Sequence, residues 1–250
     1  MNKIFKLFSV TLMLVMMLLL SACESSIQEI SEKYNIENEI IGQELTNDEL
    51  LEKMKNIVDN VKNKSYGEVD IQNEISNLKV KFKYDFSGKD VEDFKVYLKY
   101  KSDEQNLDYF ITNGVLYCQY IVNEETNKKK INLIDMFGEC TLEESKENIL
   151  LLFTPILSTY LGTEKKLYES LYDDIKVLIK NVDKYKVKGI IDENSNLIIE
   201  YEDRVKKRIV INEDNRIIYD GRVLEKGIQN IVYIYNKPIF NFPSTDGFIE

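Results

Sequence analysis

The sequence predicts an α+β fold built on an antiparallel sheet, and three observations lead to this class. Apolar residues recur with the period of a helix after Thr46 and again in the middle of the chain, whereas two other stretches alternate with the period of a strand. Short turn signals such as Asn113-Gly114 join the alternating stretches, which makes neighbouring strands antiparallel. Because helices and strands occur in separate blocks, an antiparallel sheet with helices packed on it is expected.

Composition narrows the possible functions. The chain has 250 residues and a hydrophobic fraction of 44%, which is enough for a core. It contains no His, which excludes Ser-His-Asp catalysis and every His-containing metal site. The formal net charge of −10 argues against a nucleic-acid partner, since phosphate contacts need clustered basic residues. No cofactor and no metal are expected.

The first residues have the form of a secretory signal. Lys3 and Lys6 precede the apolar stretch 7–20, and Ser21-Ala22-Cys23 follows. This arrangement resembles a bacterial lipoprotein signal with its lipobox. The resemblance implies cleavage between Ala22 and Cys23 and a diacylglycerol on the Cys23 thiol. The mature chain is then expected at the cell membrane, lipid-anchored on its extracytoplasmic face.

Two alternatives stay open for this segment, an uncleaved membrane helix and an ordinary cleaved signal. A spanning helix needs about 20 apolar residues, and the stretch 7–20 is shorter. Removing residues 1–22 removes two lysines and no acid from a net charge of −10, which leaves −12. An anionic membrane would repel such a body, so the lipid is expected to hold it there.

Residues 23–45 are mostly polar and predict a flexible tether, and residues 46–250 are expected to form one domain. Thr46 and Glu49 fit a capping box at the start of a helix that ends near Lys64. About six strands follow, from the Val69 region to Ile134, of which Leu78–Phe86 alternates most clearly.

The middle of the chain predicts helices. Residues 142–160 are strongly apolar, and Pro155 is expected to break or restart that helix. A second helix, capped by Thr163, is expected to reach Leu178. About five more strands are then expected between Tyr185 and Tyr235. If Cys23 carries the lipid, Cys118 and Cys140 are the two remaining thiols. Whether they form a disulfide is left open.

Several strands are apolar on both faces, Val115–Val122 and Ile231–Tyr235 among them. In a sheet with one solvent-exposed face, apolar and polar residues alternate along each strand. These strands therefore need to be covered on both faces. Two interpretations remain open. One is a core covered by helices or a second sheet, and the other is a sheet curled around an apolar ligand.

Three segments together resemble a known family. They are the capped helix 46–64 leading into Tyr66, the hairpin Asp108–Tyr117, and the closing segment Tyr233–Pro243. The chain resembles the LolA/LolB-type lipoprotein carriers and their Gram-positive lipoprotein relatives. The resemblance implies a strongly curved antiparallel half-barrel, with an N-terminal helix and mid-chain helices covering its concave face. It also implies a cavity that binds a lipid or another apolar ligand.

These observations favour a membrane-anchored, non-enzymatic lipoprotein that binds an apolar or lipid-like ligand. The alternative is a scaffold module without a small ligand, which binds another envelope protein. No motif in the sequence supports a third possibility, an envelope hydrolase. Strand alternation selects the residues expected to line the concave cavity, which are Phe82, Tyr84, Phe94, Val96, Tyr117, Tyr233 and Tyr235.

Overall fold

The structure, a computed structural model, describes residues 27–60, 65–74, 77–122, 125–161 and 172–249. The signal segment therefore lies outside the described residues. The described part contains helices in two places: two lie before the first long block of strands, and three lie between that block and the second. These are α1 (residues 27–34), α2 (Asn47–Asp59), α3 (Leu133–Phe137), α4 (Leu142–Leu161) and α5 (Asp173–Asn181), with a 3-10 turn at Val91–Asp93.

All described strands belong to one twelve-stranded sheet in which every neighbouring pair is antiparallel. The strands are β1 (Gln43–Glu44), β2 (Tyr66–Asn73), β3 (Leu78–Asp85), β4 (Lys95–Lys101), β5 (Asn106–Thr112), β6 (Val115–Val122), β7 (Glu125–Asn132), β8 (Lys188–Ile191), β9 (Leu197–Glu202), β10 (Lys206–Ile211), β11 (Ile217–Leu224) and β12 (Gly227–Ile234).

The sheet order is β1-β8-β9-β10-β11-β12-β2-β3-β4-β5-β6-β7, so the last strand of the chain joins the two blocks. The sheet is open and curved, and the predicted α+β half-barrel class is confirmed. The long-range pairing of β12 with β2 closes the chain into a single sheet.

One face of the sheet, called the inner face here, is buried under α2, α4 and α5. Its side chains form one large apolar cluster with Leu50 and Met54 of α2, Phe153 of α4 and Ile175 of α5. The strand residues of this cluster alternate as the sequence predicts, with Val80, Phe82 and Tyr84 on β3 and Val96 and Leu98 on β4.

Helix α2 begins where the sequence predicts. Thr46 and Glu49 form a reciprocal capping box, in which the Glu49 carboxylate accepts from the Thr46 backbone nitrogen at 2.8 Å. The helix buries Leu50, Met54 and Ile57 against the inner face. The last predicted turn, at residues 61–64, lies outside the described residues.

The predicted interruption at Pro155 is wrong, because α4 runs without a break from Leu142 to Leu161. Phe153 and Leu157, on either side of the proline, are both buried in the inner-face cluster. This shared packing holds the two halves of the helix in line despite the missing backbone donor. The expected helix start near Thr163 lies outside the described residues.

The opposite face, called the outer face, is covered near β8–β12 by the N-terminal segment. The prediction of a flexible tether over 23–45 is therefore wrong for residues 27–44, which fold onto the sheet. Ile27, Tyr34 and Ile36 are buried, and Ile27 and Tyr34 join a second apolar cluster with strand residues such as Val210 and Val232. Three buried side chains are enough to hold this polar segment on the sheet, because the sheet supplies the rest of the apolar surface.

A buried arginine fastens this segment. Arg208 of β10 is 2% exposed, pairs with Glu200, and donates to the backbone carbonyls of Tyr34, Asn35 and Asn38. It thereby satisfies carbonyls at the carboxyl end of α1 that lack a partner within the helix.

The C-terminal tail covers another part of the outer face. Phe242 stacks on Phe110 with ring centroids 5.5 Å apart, and Phe248 meets the Phe110 ring edge-on at 5.8 Å. Ile249 forms a parallel bridge to Lys129 of β7, the last strand of the sheet. The first and last described segments thus pack on the outer face, whereas α2, α4 and α5 pack on the inner face.

Candidate functional site

The inner face beneath α4 carries a continuous row of aromatic rings, called the aromatic row. Along it the ring centroids of Phe82 and Tyr84 lie 5.7 Å apart, those of Tyr84 and Phe86 5.8 Å, and those of Phe86 and Phe94 5.2 Å. Phe153 of α4 packs on Phe82 at 5.6 Å. Such spacings are those of favourable aromatic pairs, so the row is a continuous apolar surface with α4 packed on it.

Six of the seven predicted cavity residues lie on the inner face. Five of them are 2% exposed or less, and Tyr235 is half-buried against the same cluster. They are Phe82, Tyr84, Phe94, Val96, Tyr233 and Tyr235. The structure brings Phe82, Tyr84 and Phe94 together in the aromatic row.

The prediction that Tyr117 shares this face is wrong. Leu116 and Cys118 point to the inner face, so Tyr117 lies on the outer face. Its ring stacks on Phe110 at 4.8 Å and meets Phe248 edge-on at 5.2 Å. Because β6 is apolar on both sides, alternation alone did not reveal which side faces the helices.

An open cleft lies at one end of the sheet, between the 3-10 turn and the connection from α3 to α4. It has a volume of about 400 Å³ and is called the end cleft. Its apolar lining comes mainly from the turn, from α3 and from the start of α4, while several charged residues lie at its rim. The lining consists of Lys89, Asp90, Val91, Glu92, Leu133, Ile134, Phe137, Gly138, Glu139, Cys140, Leu142 and Ser145.

The end cleft adjoins one end of the aromatic row. Val91, in its wall, accepts the backbone hydrogen bond of Phe94 at 3.1 Å. On the other wall, Ser145 precedes Lys146, whose ammonium lies 6.0 Å from the Phe94 ring centroid. Ile134 remains 55% exposed at this cleft. The end cleft therefore lies next to the end of the aromatic row, which α4 covers.

The other half of the inner face carries a buried polar cluster, called the inner polar cluster. Asp174 of α5 accepts from Lys207 at 3.0 Å and from the Tyr201 hydroxyl at 3.1 Å. Arg222 pairs with Asp220 at 2.7 Å and lies 3.9 Å from Asp174. The cluster connects α5 with β9, β10 and β11, and its charges balance.

The pKa shifts follow from this arrangement. Burial alone would raise the pKa of Asp174, but Lys207 and Arg222 outweigh it and hold that pKa below its ordinary value. Burial and the neighbouring Asp174 raise the pKa of Tyr201 far above its usual range. Asp174 is thus a carboxylate and Tyr201 a neutral hydroxyl at any physiological pH.

Tyr233 lies beside this cluster, and its hydroxyl makes no hydrogen bond to the described residues. Its side chain is buried. Burial and the charge of Asp220 raise the pKa of Tyr233 well above its ordinary value, so the hydroxyl keeps its proton. A buried hydroxyl without a partner costs about 1–3 kcal/mol.

Sequence alternation missed the inner polar cluster because of a β-bulge. Val210 pairs with Tyr219, but the next residue, Ile211, pairs with Ile217. The extra residue in β11 shifts the alternation, so that Asp220 and Arg222 face inward. A bulge has no reliable signal in a single sequence, and here it re-aims the charged residues.

The two remaining thiols are unpaired in the structure. Burial raises the pKa of Cys118 to about 11, whereas Cys140 lies in the end cleft with its Sγ 3.1 Å from Ser145 Oγ. Across the described ranges, no group of three Cys, Asp or Glu side chains is placed to hold a metal ion. Within the same ranges, no helix is both long and apolar enough to span a membrane.

Comparison with known proteins finds a structural similarity without a family match. No family model matches the chain, and no curated protein matches it. Among solved structures, the chain is similar to the lipoprotein LppX of Mycobacterium tuberculosis, with 10% sequence identity and a TM-score of 0.40. That similarity covers 78% of this chain and 99% of LppX.

Proposed function

We propose that the protein is a membrane-anchored extracytoplasmic lipoprotein that binds an apolar or lipid-like ligand between α4 and the inner face, without catalysing a reaction. The observation that carries this proposal is the aromatic row, whose Phe94 contacts Val91 in the wall of the end cleft. An aromatic surface next to a partly apolar cleft suits an acyl chain better than a polar substrate.

Helix α4 is the element that would make room for the ligand. It buries Ile149, Phe153 and Leu157 against the sheet, yet Leu151 is 63% exposed. A helix with apolar residues on more than one side is suited to exchanging one apolar partner for another. An acyl chain that replaced Phe153 on the aromatic row would keep that surface out of water.

The unpartnered hydroxyl of Tyr233 supports a ligand with a polar end. A ligand oxygen that accepted from Tyr233 would relieve the cost of the missing hydrogen bond. The nearby charges already pair with one another, as Asp174 does with Lys207 and Arg222 with Asp220. This mutual pairing supports binding over catalysis.

The anchor is the diacylglycerol proposed on Cys23, with cleavage after Ala22. A Cys23→Ala variant should incorporate no acyl label and should accumulate as an unprocessed precursor. Normal labelling of that variant would refute the anchor while leaving the ligand site untouched.

A second function, an envelope scaffold that binds another protein, is favoured by a different observation. Phe82, Phe94 and Val96 are 0% exposed, because the helices of the protein already fill the described inner face. In that case the inner face is a permanent core, and its partner binds at the rim.

Uptake of a fluorescent fatty acid separates the two functions. Ile134→Glu places a charge in the end cleft, so it should weaken uptake by about tenfold, as expected when a carboxylate must be buried against an acyl chain. Val177→Glu, on the solvent-exposed side of α5, is the matched control and should leave uptake unchanged. Absence of uptake by the unaltered protein would favour the scaffold.

A further inference from the structure

The outer face of β3 and β4 carries a concentration of lysines. Leu78, Val80, Phe82 and their β4 neighbours face inward, so the alternating lysines face outward. The strand register places Lys79 directly opposite Lys101, and Lys81 directly opposite Lys99. These four residues are called the basic patch.

The basic patch is only partly neutralised. Lys81 lies 3.8 Å from the buried Glu68, and Asp70 and Asp108 stand opposite Lys81 and Lys99 in the register. In contrast, Lys79, Lys99 and Lys101 are exposed and make no ion pair within 4.0 Å in the described part of the chain.

Like charges placed directly opposite each other destabilise a sheet. Two such lysine pairs side by side, in a chain with a net charge of −10, mark a surface that favours an anionic partner.

The position of the lipid anchor identifies that partner. Ile27 is buried on the outer face and lines a cleft of about 400 Å³ together with Lys81. Only three residues separate Cys23 from Ile27, so their Cα atoms can lie at most about 14 Å apart when the chain is fully extended. An acyl chain on Cys23 must therefore hold this side of the molecule close to the bilayer.

We propose that the basic patch docks on an anionic phospholipid bilayer, so that the anchored protein rests on the outer face of β3 and β4. This inference rests on the proposed Cys23 anchor. Each lysine near an anionic surface contributes about 1 kcal/mol, and the short anchor allows the patch to approach the bilayer to within roughly one Debye length, about 10 Å. The inner face and α4 then point away from the membrane.

A tryptophan reporter tests the orientation, because the chain has no Trp of its own. Glu104→Trp places an indole in the exposed turn beside Lys101, and Val177→Trp places one on α5, which packs on the inner face. Each variant is purified as the processed full protein and reconstituted into phosphatidylcholine vesicles, with and without phosphatidylglycerol, that contain dansyl-labelled lipid. In anionic vesicles, energy transfer to dansyl should be at least about twofold stronger from residue 104 than from residue 177.

Charge reversal tests the lysines. Lys79→Glu, Lys99→Glu and Lys101→Glu together should abolish the excess transfer from residue 104 and its dependence on phosphatidylglycerol. The matched control reverses Lys53, Lys55 and Lys180, which are exposed on α2 and α5, with the same change in net charge. It should keep the excess transfer.

Equal transfer from residues 104 and 177 would overturn the docking, and so would an excess that survives reversal of the patch. A protein that does not sediment with any vesicle lacks the anchor, which would overturn anchor and docking together. A protein that sediments without excess transfer overturns the docking alone.

Discussion

The inner face of the sheet is covered by α2, α4 and α5, whereas the outer face is covered by the first and last described segments of the chain. Over β3 the inner cover is apolar, and Phe153 of α4 packs directly on Phe82. The outer cover depends on polar contacts, above all those of Arg208 with the carbonyls that follow α1. Apolar burial is non-directional, while hydrogen bonds from a buried arginine fix one position. The proposed ligand site requires α4 to exchange one apolar partner for another, whereas the outer face holds the N-terminal segment in place.

Phe82→Ala should have the largest effect on this comparison. It removes a fully buried ring from the aromatic row and should lower the free energy of unfolding by about 3–5 kcal/mol. Phe240→Ala, in the C-terminal tail, is the outer-face control and should cost about 1 kcal/mol, since its ring stacks only on Phe242 among the described rings. Urea unfolding measures both. Equal losses would mean that the two covers have the same energetic basis.

Arg208→Met should have an intermediate effect, with a different signature. It removes the partner of Glu200 and the arginine donor to the carbonyls of Tyr34 and Asn38, at a cost of about 1–3 kcal/mol. Hydrogen exchange should accelerate at residues 27–34 while β3 remains protected. Lys206→Met, which removes a single exposed donor to the Ile36 carbonyl, is the control. Uniform acceleration throughout the sheet would contradict a local fastening role.

Asp192→Asn should have the smallest effect, and it depends on pH. Burial alone would raise the pKa of Asp192, but hydrogen bonds from Tyr34 and Asn196, together with Lys33, hold it below the ordinary value of 3.8. A lowered pKa in the folded protein means that the charged carboxylate stabilises the fold above pH 3.8. This stabilisation is lost as the pH falls through the folded value.

The protein should therefore be more stable than Asp192→Asn at neutral pH, and the difference should shrink in acid. Urea unfolding at several pH values measures it. Asp203→Asn, an exposed change in the turn after β9, should leave stability unaltered. A difference between protein and Asp192→Asn that grows in acid would show that the carboxylate is not held in its charged form.

Local signals predicted the elements well. The capping box of Thr46 and Glu49 placed the start of α2, Asn113-Gly114 placed the β5–β6 turn, and the alternation from Leu78 placed the inner face of β3. Each of these depends on neighbours within a few residues, so the sequence alone contains the information.

Contacts between distant residues were beyond prediction. Ile27 and Tyr34 are isolated in a polar segment, and what orders them is Arg208, more than 170 residues away. The bulge in β11 and the orientation of Tyr117 likewise depend on which strand lies alongside, which no local period encodes. Three of the four rings of the aromatic row, those of Phe82, Tyr84 and Phe94, were predicted, but Phe86 and the α4 residue Phe153 that packs on the row were not.

Native mass spectrometry of the processed protein, gently released from membranes, tests the central claim most directly. The denatured mass gives the protein with its covalent anchor, so any additional mass in the native spectrum belongs to a bound molecule. A ligand held between α4 and the aromatic row predicts an additional lipid-sized mass, or one gained after incubation with a fatty acid. Identical native and denatured masses, with no gain from the fatty acid, would contradict the account.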